Sequence, residues 1–291
     1  MKPLSTARLY HGAPWYSALV TRFVHVKGLR IHFLESGSTE EGSPVLLMVH
    51  GWAGSAADWE RLLPLLPPHF RAIAVDLPGC GLSDKPDAAY DMPWFTDALR
   101  AFCEALGLPR LILAGHSMGG QIAVHFTARF PDMVEKLVLV DPYGLKGEEG
   151  ARSFLARLGP FVNLAFLLNS RFFIERAIRA NVLHDPPAEL VRSAVEATAG
   201  SILGRSGARA IARITKRIIG HEHVDALLPG ISQETLVIWG EQDRVLSLRH
   251  AEVYVSLLRR ATFCRVPGAG HMPMLESPEE AARLIAEFVG T

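Results

Sequence analysis

The chain has 291 residues, 49% of them hydrophobic, and its 30 basic side chains balance 30 acidic ones. That length and apolar content suffice for one large core with an inserted subdomain, and a formal charge near zero points away from nucleic acid and toward small-molecule partners. Three scattered cysteines, Cys80, Cys103 and Cys264, exclude a disulfide framework and offer no metal-ligand spacing, so a reducing, cytoplasmic setting without metal or organic cofactor is expected.

Taken in chain order, residues 1–20 form a leader broken by Pro3, Gly12 and Pro14, without the unbroken apolar stretch of a signal peptide or membrane span. Tyr10, Trp15 and Tyr16 suit packing against the body, with contact to a membrane surface as the alternative. Alternating runs at 22–26 and 29–33 around Lys27-Gly28 predict an antiparallel hairpin. Short apolar runs at 45–49, 72–75, 111–114, 137–140, 236–239 and 263–266 then predict parallel strands. Helical spacing separates them, as at 94–106, 121–129 and 278–288, giving the βαβ rhythm of a doubly wound α/β sheet.

That rhythm is interrupted between Tyr143 and Leu228. Apolar residues recur there at helical spacing through 154–158, 161–168, 172–183, 189–197 and 208–219, which predicts an inserted helical cap. The expected division is a core over 1–142 and 229–291 and a cap over 143–228. The cap is tilted to the basic side by Arg171, Arg176, Arg179, Arg205, Arg209, Arg213, Lys216 and Arg217, read as a solvated face or as a holder of an acidic substrate or lipid headgroup. His221-Glu-His223 lacks a third ligand and is read as a hinge or surface segment.

The chemistry is carried by three strand ends. Gly115-His-Ser-Met-Gly119 follows an apolar strand and opens a helix, so Ser117 is expected on a sharp turn that exposes its hydroxyl. A serine hydroxyl needs an imidazole to take its proton and a carboxylate to orient that imidazole. His271, after Pro267-Gly-Ala-Gly270, is the expected base. Asp243, in the loop after 236–239, is the expected acid, with Glu241 as fallback and Asp141 as competitor. Oxyanion donors are expected from the backbone N–H groups of Met118 and Trp52, with Gly51 allowing close approach; the Trp52 ring either walls the acyl pocket or belongs to the core.

His50-Gly-Trp52, Asp76-Leu-Pro-Gly-Cys-Gly-Leu-Ser-Asp84, Gly115-His-Ser-Met-Gly-Gly120, Gly240-Glu-Gln-Asp243 and Gly270-His271, in this order, make the chain resemble the α/β-hydrolase fold superfamily over nearly its whole length. The resemblance implies a mostly parallel doubly wound sheet with a helical cap, but not one substrate. Dehalogenase and epoxide hydrolase members carry Asp where Ser117 stands. Hydrolases of aromatic meta-cleavage products commonly have Asn at His116 and Trp at Met272, and proline iminopeptidases usually show Gly-Gly-Ser-Trp-Gly at the elbow. Carboxylic-ester hydrolysis of an apolar acyl or aryl substrate is therefore expected, with loss of activity below roughly pH 6 to 7 as the base protonates. The alternatives are a C–C or amide hydrolase on the same triad, and a slow-turnover ligand receptor.

Overall fold

A computed structural model describes residues 19–147 and 170–290. The aromatic residues of the leader and the expected helices at 154–158 and 161–168 lie outside the described residues. The N-terminal alternation folds as expected: β1 (Val20–Val26) pairs antiparallel with β2 (Leu29–Gly37), turning through Lys27 and Gly28 at φ 49° and 82°. Next, β2 pairs antiparallel with β4 (Arg71–Val75), which runs parallel to β3 (Val45–Val49). The sheet continues parallel through β5 (Leu111–His116), β6 (Val134–Val140), β7 (Glu234–Gly240) and β8 (Ala261–Val266), in the order β1-β2-β4-β3-β5-β6-β7-β8. Strands β5 to β8 each begin or end one to three residues beyond the apolar run that signals them, because ladder pairing continues into polar positions such as Lys136 and Glu234.

The central strands are apolar on successive residues because both faces are covered. Leu47, Val49, Leu113, Leu137 and Val237 face one layer, formed by α1 (Met92–Ala105), α2 (Met118–Arg129) and α6 (Arg249–Leu257). Leu46, Met48, Ile112, Val138 and Leu236 face the other, with Trp59, Leu62 and α8 (Pro278–Val289). Asp91 starts α1 by accepting the Trp94 N–H at 3.0 Å, an N-cap that leaves Pro93 in the first turn where its missing N–H costs nothing.

Between β6 and β7 lie α3 (Arg171–Ala177), α4 (Ala188–Ile202) and α5 (Arg205–Ile218). The helical spacing over 172–183 does not give one helix. After Ala177 the chain widens into a π-turn, Ile178–Val182, and leaves helical geometry at Leu183. Pro186 and Pro187 forbid continuation, Asp185 sits at φ 44°, and two backbone groups of this segment are taken by the loop of His271. Ile174 of α3 and Leu190, Val191, Ala194, Val195 and Ala199 of α4 join the Trp59 layer, whereas Ile202 at the end of α4 and Ala210, Ile211, Ile214 and Ile218 of α5 join the opposite one, so the insertion reaches both faces of the sheet. The arginines are exposed, and several are neutralised: Arg171 pairs with Glu196, Arg179 with Glu175 and Arg213 with Asp87. No helix among the described residues is long and apolar enough to cross a membrane.

Candidate active site

Ser117 occupies the single residue between β5 and α2, at φ 51° and ψ −119°, a conformation that side chains rarely adopt and that surrounding contacts must enforce. Its N–H donates to the Val140 carbonyl at 3.0 Å, and its own carbonyl accepts from Gly120, Gln121 and Tyr143. The glycines are required sterically: a Cβ on Gly115 would lie 2.3 Å from the Gly119 carbonyl oxygen, and one on Gly119 would lie 2.4 Å from that of Val49.

The three residues expected to act together are brought together. Ser117 Oγ lies 3.0 Å from His271 Nε2, and His271 Nδ1 lies 2.8 Å from Asp243 Oδ2. The other Asp243 oxygen accepts the N–H groups of Val245 at 2.6 Å and Leu246 at 3.0 Å, so the carboxylate is fixed on both sides. Both the Asp243 carboxylate and the His271 ring are buried. Glu241, the fallback acid, points into solvent. Asp141 sits beside Asp243 and accepts the Gly240 N–H at 2.9 Å through Oδ1; burial, together with the Asp243 charge, pushes its carboxyl well above the usual carboxylate range. One donor atom each of Asp141, Asp243 and His271 lie within 4.8 Å of one another, but a cation there would have to displace the Nδ1 contact to Asp243. His221 and His223 are exposed, and the carbonyls of His221 and Glu222 accept from Gln121 Nε2, which ties this segment to α2.

The loop that carries His271 is clamped by groups its local sequence does not advertise. The His271 N–H donates to the Val182 carbonyl of the π-turn at 2.9 Å. His116 Nε2 lies 2.7 Å from the His271 carbonyl oxygen and must carry the proton. Burial, and then the neighbouring His271, hold the His116 imidazole well below the usual histidine range, so it stays neutral. Glu276 closes the loop: Oε1 accepts the Met272 N–H at 3.0 Å and Oε2 the His184 N–H at 2.6 Å. The one sequence signal for Glu276 is an acid placed among Met272, Pro273, Met274 and Leu275.

Behind the serine, a Cβ on Gly51 would come within 2.9 Å of His116 Nδ1 and 3.2 Å of Ser117 Cβ, so glycine lets this turn approach without displacing them. His50 holds the turn from inside, with Nδ1 donating to the Gly51 carbonyl at 2.7 Å and Nε2 accepting the Leu77 N–H at 3.1 Å. Among the described residues no carbonyl accepts from the Met118 or Trp52 backbone N–H. These two amides flank Ser117 on the wall of a cavity of roughly 1050 Å³ including its mouth. Phe173, Ile174, Ile178, Ile202, Leu246 and Met272 make it apolar, and the Trp52 ring also lines it while donating to Thr215 on α5. The exception is Asp58, a buried carboxyl that burial raises to about 8, missed in the sequence because nothing local marks it as enclosed.

A model of the alpha/beta hydrolase fold family matches residues 44–278. A serine hydrolase-like protein of Danio rerio is 31% identical over 273 residues, covering 85% of this chain and 82% of its own length. The 2-hydroxymuconate semialdehyde hydrolase of Pseudomonas sp. (strain CF600) is 28% identical over 284 residues, covering 95% and 96%. The crystal structure of a membrane phospholipase A, a bacterial virulence factor, is similar with a TM-score of 0.79 and 34% identity, covering 94% of this chain and 86% of that one.

Proposed function

The chain belongs to the alpha/beta hydrolase fold family, and we propose that within it this protein is a serine hydrolase that cleaves carboxylic esters of apolar acyl or aryl groups through an acyl-enzyme. The observation that carries this reading is the Ser117 Oγ to His271 Nε2 contact of 3.0 Å at the wall of an apolar cavity. His271 takes the Ser117 proton as Oγ attacks the ester carbonyl, and the oxyanion is held by the Met118 and Trp52 amides. Collapse expels the alcohol with the proton from His271. Water, deprotonated by the same imidazole, then attacks the acyl-enzyme and releases the acid. Asp243 fixes the tautomer with the proton on Nδ1.

In this reading residues 143–228 act as a cap whose apolar side chains accept the acyl group and exclude water. The partner is a small-molecule ester. Three cysteines without disulfide partners suit a cytoplasmic location. The 34% identity to a phospholipase A, itself an ester hydrolase by name, supports ester cleavage.

A second reading is C–C bond cleavage in a vinylogous diketone, supported by relatives such as 2-hydroxymuconate semialdehyde hydrolase. His116 and Met272 stand against it, because they replace the Asn and Trp common in that group. The test is turnover of p-nitrophenyl esters from acetyl to long acyl chains, with Ser117→Ala alongside. Ser117-dependent hydrolysis is expected, with an optimum at longer chains. Turnover of a vinylogous diketone with none of any ester would replace the first reading by the second.

A further inference from the structure

Asp141 directly follows β6 as a fully buried carboxyl on a backbone at φ 42°, in the left-handed region. Its N–H donates to the Ile238 carbonyl at 2.9 Å, and Oδ1 accepts the Gly240 N–H. Its Oδ2 is sealed from solvent, and no N–H or O–H among the described residues donates to it. Beside Asp141 lies a second carboxyl, Asp243, with an oxygen of each within 4.8 Å of the other, and the two Asp243 oxygens already accept from Val245, Leu246 and His271. The other titratable groups around the pair are His271, from the loop after β8, Glu276 on α7 (Pro273–Glu276), and His250 of α6, which feels the Asp243 charge.

Two carboxylates this close and closed off from water do not both keep a charge. Asp243, with three N–H donors, is the better anion, while Asp141 has one. The proton therefore belongs on Asp141, at the oxygen that lacks a donor. We infer that Asp141 is a positioning residue of this site: protonated on Oδ2, it donates to the Asp243 carboxylate and keeps that carboxylate turned toward His271 Nδ1. With that donor in place Asp243 gains a further hydrogen bond and becomes a weaker base toward the Nδ1 proton, so the proton stays on the imidazole. This role rests on the proposed serine hydrolase reading for its purpose, but not for its geometry.

The test is an NMR titration of the His271 ring in the full chain, assigned by loss of its signal in His271→Gln and made on wild type, Asp141→Asn and Asp141→Ala. It needs no substrate. The Asn amide supplies a neutral donor at the same place, so the His271 midpoint in Asp141→Asn is expected to stay where it is in wild type. In Asp141→Ala the donor is gone, Asp243 becomes more basic, and the midpoint is expected to rise. If Asp141 is ionised instead, Asp141→Asn removes a neighbouring negative charge and the midpoint falls by about one unit or more; that result overturns the inference. An Asp141→Ala midpoint equal to wild type does so too, and where Asp141→Ala fails to fold, the Asn variant decides alone. Labelling of Ser117 by diisopropyl fluorophosphate, followed separately, tests the hydrolase reading: no labelling defeats that reading while leaving the titration result standing.

Discussion

Trp52 Nε1 donates to Thr215 Oγ1 at 2.8 Å, and Thr215 Oγ1 in turn donates to the Ile211 carbonyl at 2.7 Å. The turn that follows β3 and flanks the serine is thereby joined to α5. Trp52→Phe keeps a ring on the cavity wall and removes the donor, and Thr215→Val removes the acceptor. Each is expected to lose about 1 kcal/mol, with a coupling of similar size in a double-mutant cycle, seen as a roughly fivefold loss in kcat/KM for bulky esters. Fully additive effects would show that the contact does not link the turn to α5.

Ser117, His271 and Asp243 should behave as one unit. Ser117→Ala and His271→Ala are each expected to abolish nearly all turnover, and the double variant should be no worse than either. Asp243→Asn keeps the shape but disturbs the tautomer, with a drop in kcat on the order of 10⁴. Single-turnover and steady-state rates on one p-nitrophenyl ester measure all four. Multiplicative losses would count against a shared proton relay.

The sheet was readable because a parallel strand covered on both faces leaves no polar position, as at Val45–Val49 and in the apolar residues of β5. Ser117 and His271 were readable because each follows a strand and is marked by glycines that the tight backbone requires. The choice of acid was less so: β6 and β7 pair with Val140 beside Ile238, which sets Asp141 and Asp243 at neighbouring strand ends, and only the side-chain contacts separate their roles. Glu276, His116 and Asp58 take their roles from enclosure and from partners remote in sequence. Likewise Glu60 accepts from Ser193, 133 residues away, a contact no local pattern encodes.

Glu276 offers a check on the clamp around His271. Glu276→Gln turns an NH₂ toward one of the backbone N–H groups that the carboxylate accepts, among them those of Met272 and His184. A buried donor left unsatisfied costs about 1–3 kcal/mol. In the proposed mechanism this loop holds the base, while Met272 on it also lines the cavity, so kcat is expected to fall roughly tenfold to a hundredfold with a smaller change in KM. A rise in KM at constant kcat would place Glu276 in substrate binding instead.

Asp58 and Glu60 make stability depend on pH in a direction opposite to that of paired carboxylates. Burial raises Asp58 to about 8 and Glu60 to about 7, from ordinary values of 3.8 and 4.5. Across that interval the folded chain holds protons that the unfolded chain has released. Their contribution is therefore complete below about pH 4 and is lost as pH rises, at up to roughly 1.4 kcal/mol per pH unit for each group. The loss from Glu60 ends near pH 7 and that from Asp58 near pH 8. Asp58→Asn mimics the neutral acid at every pH, so its Tm is expected to fall less steeply than that of wild type between pH 5 and 8. Two parallel melting profiles over that range would mean that Asp58 is already ionised in the folded chain.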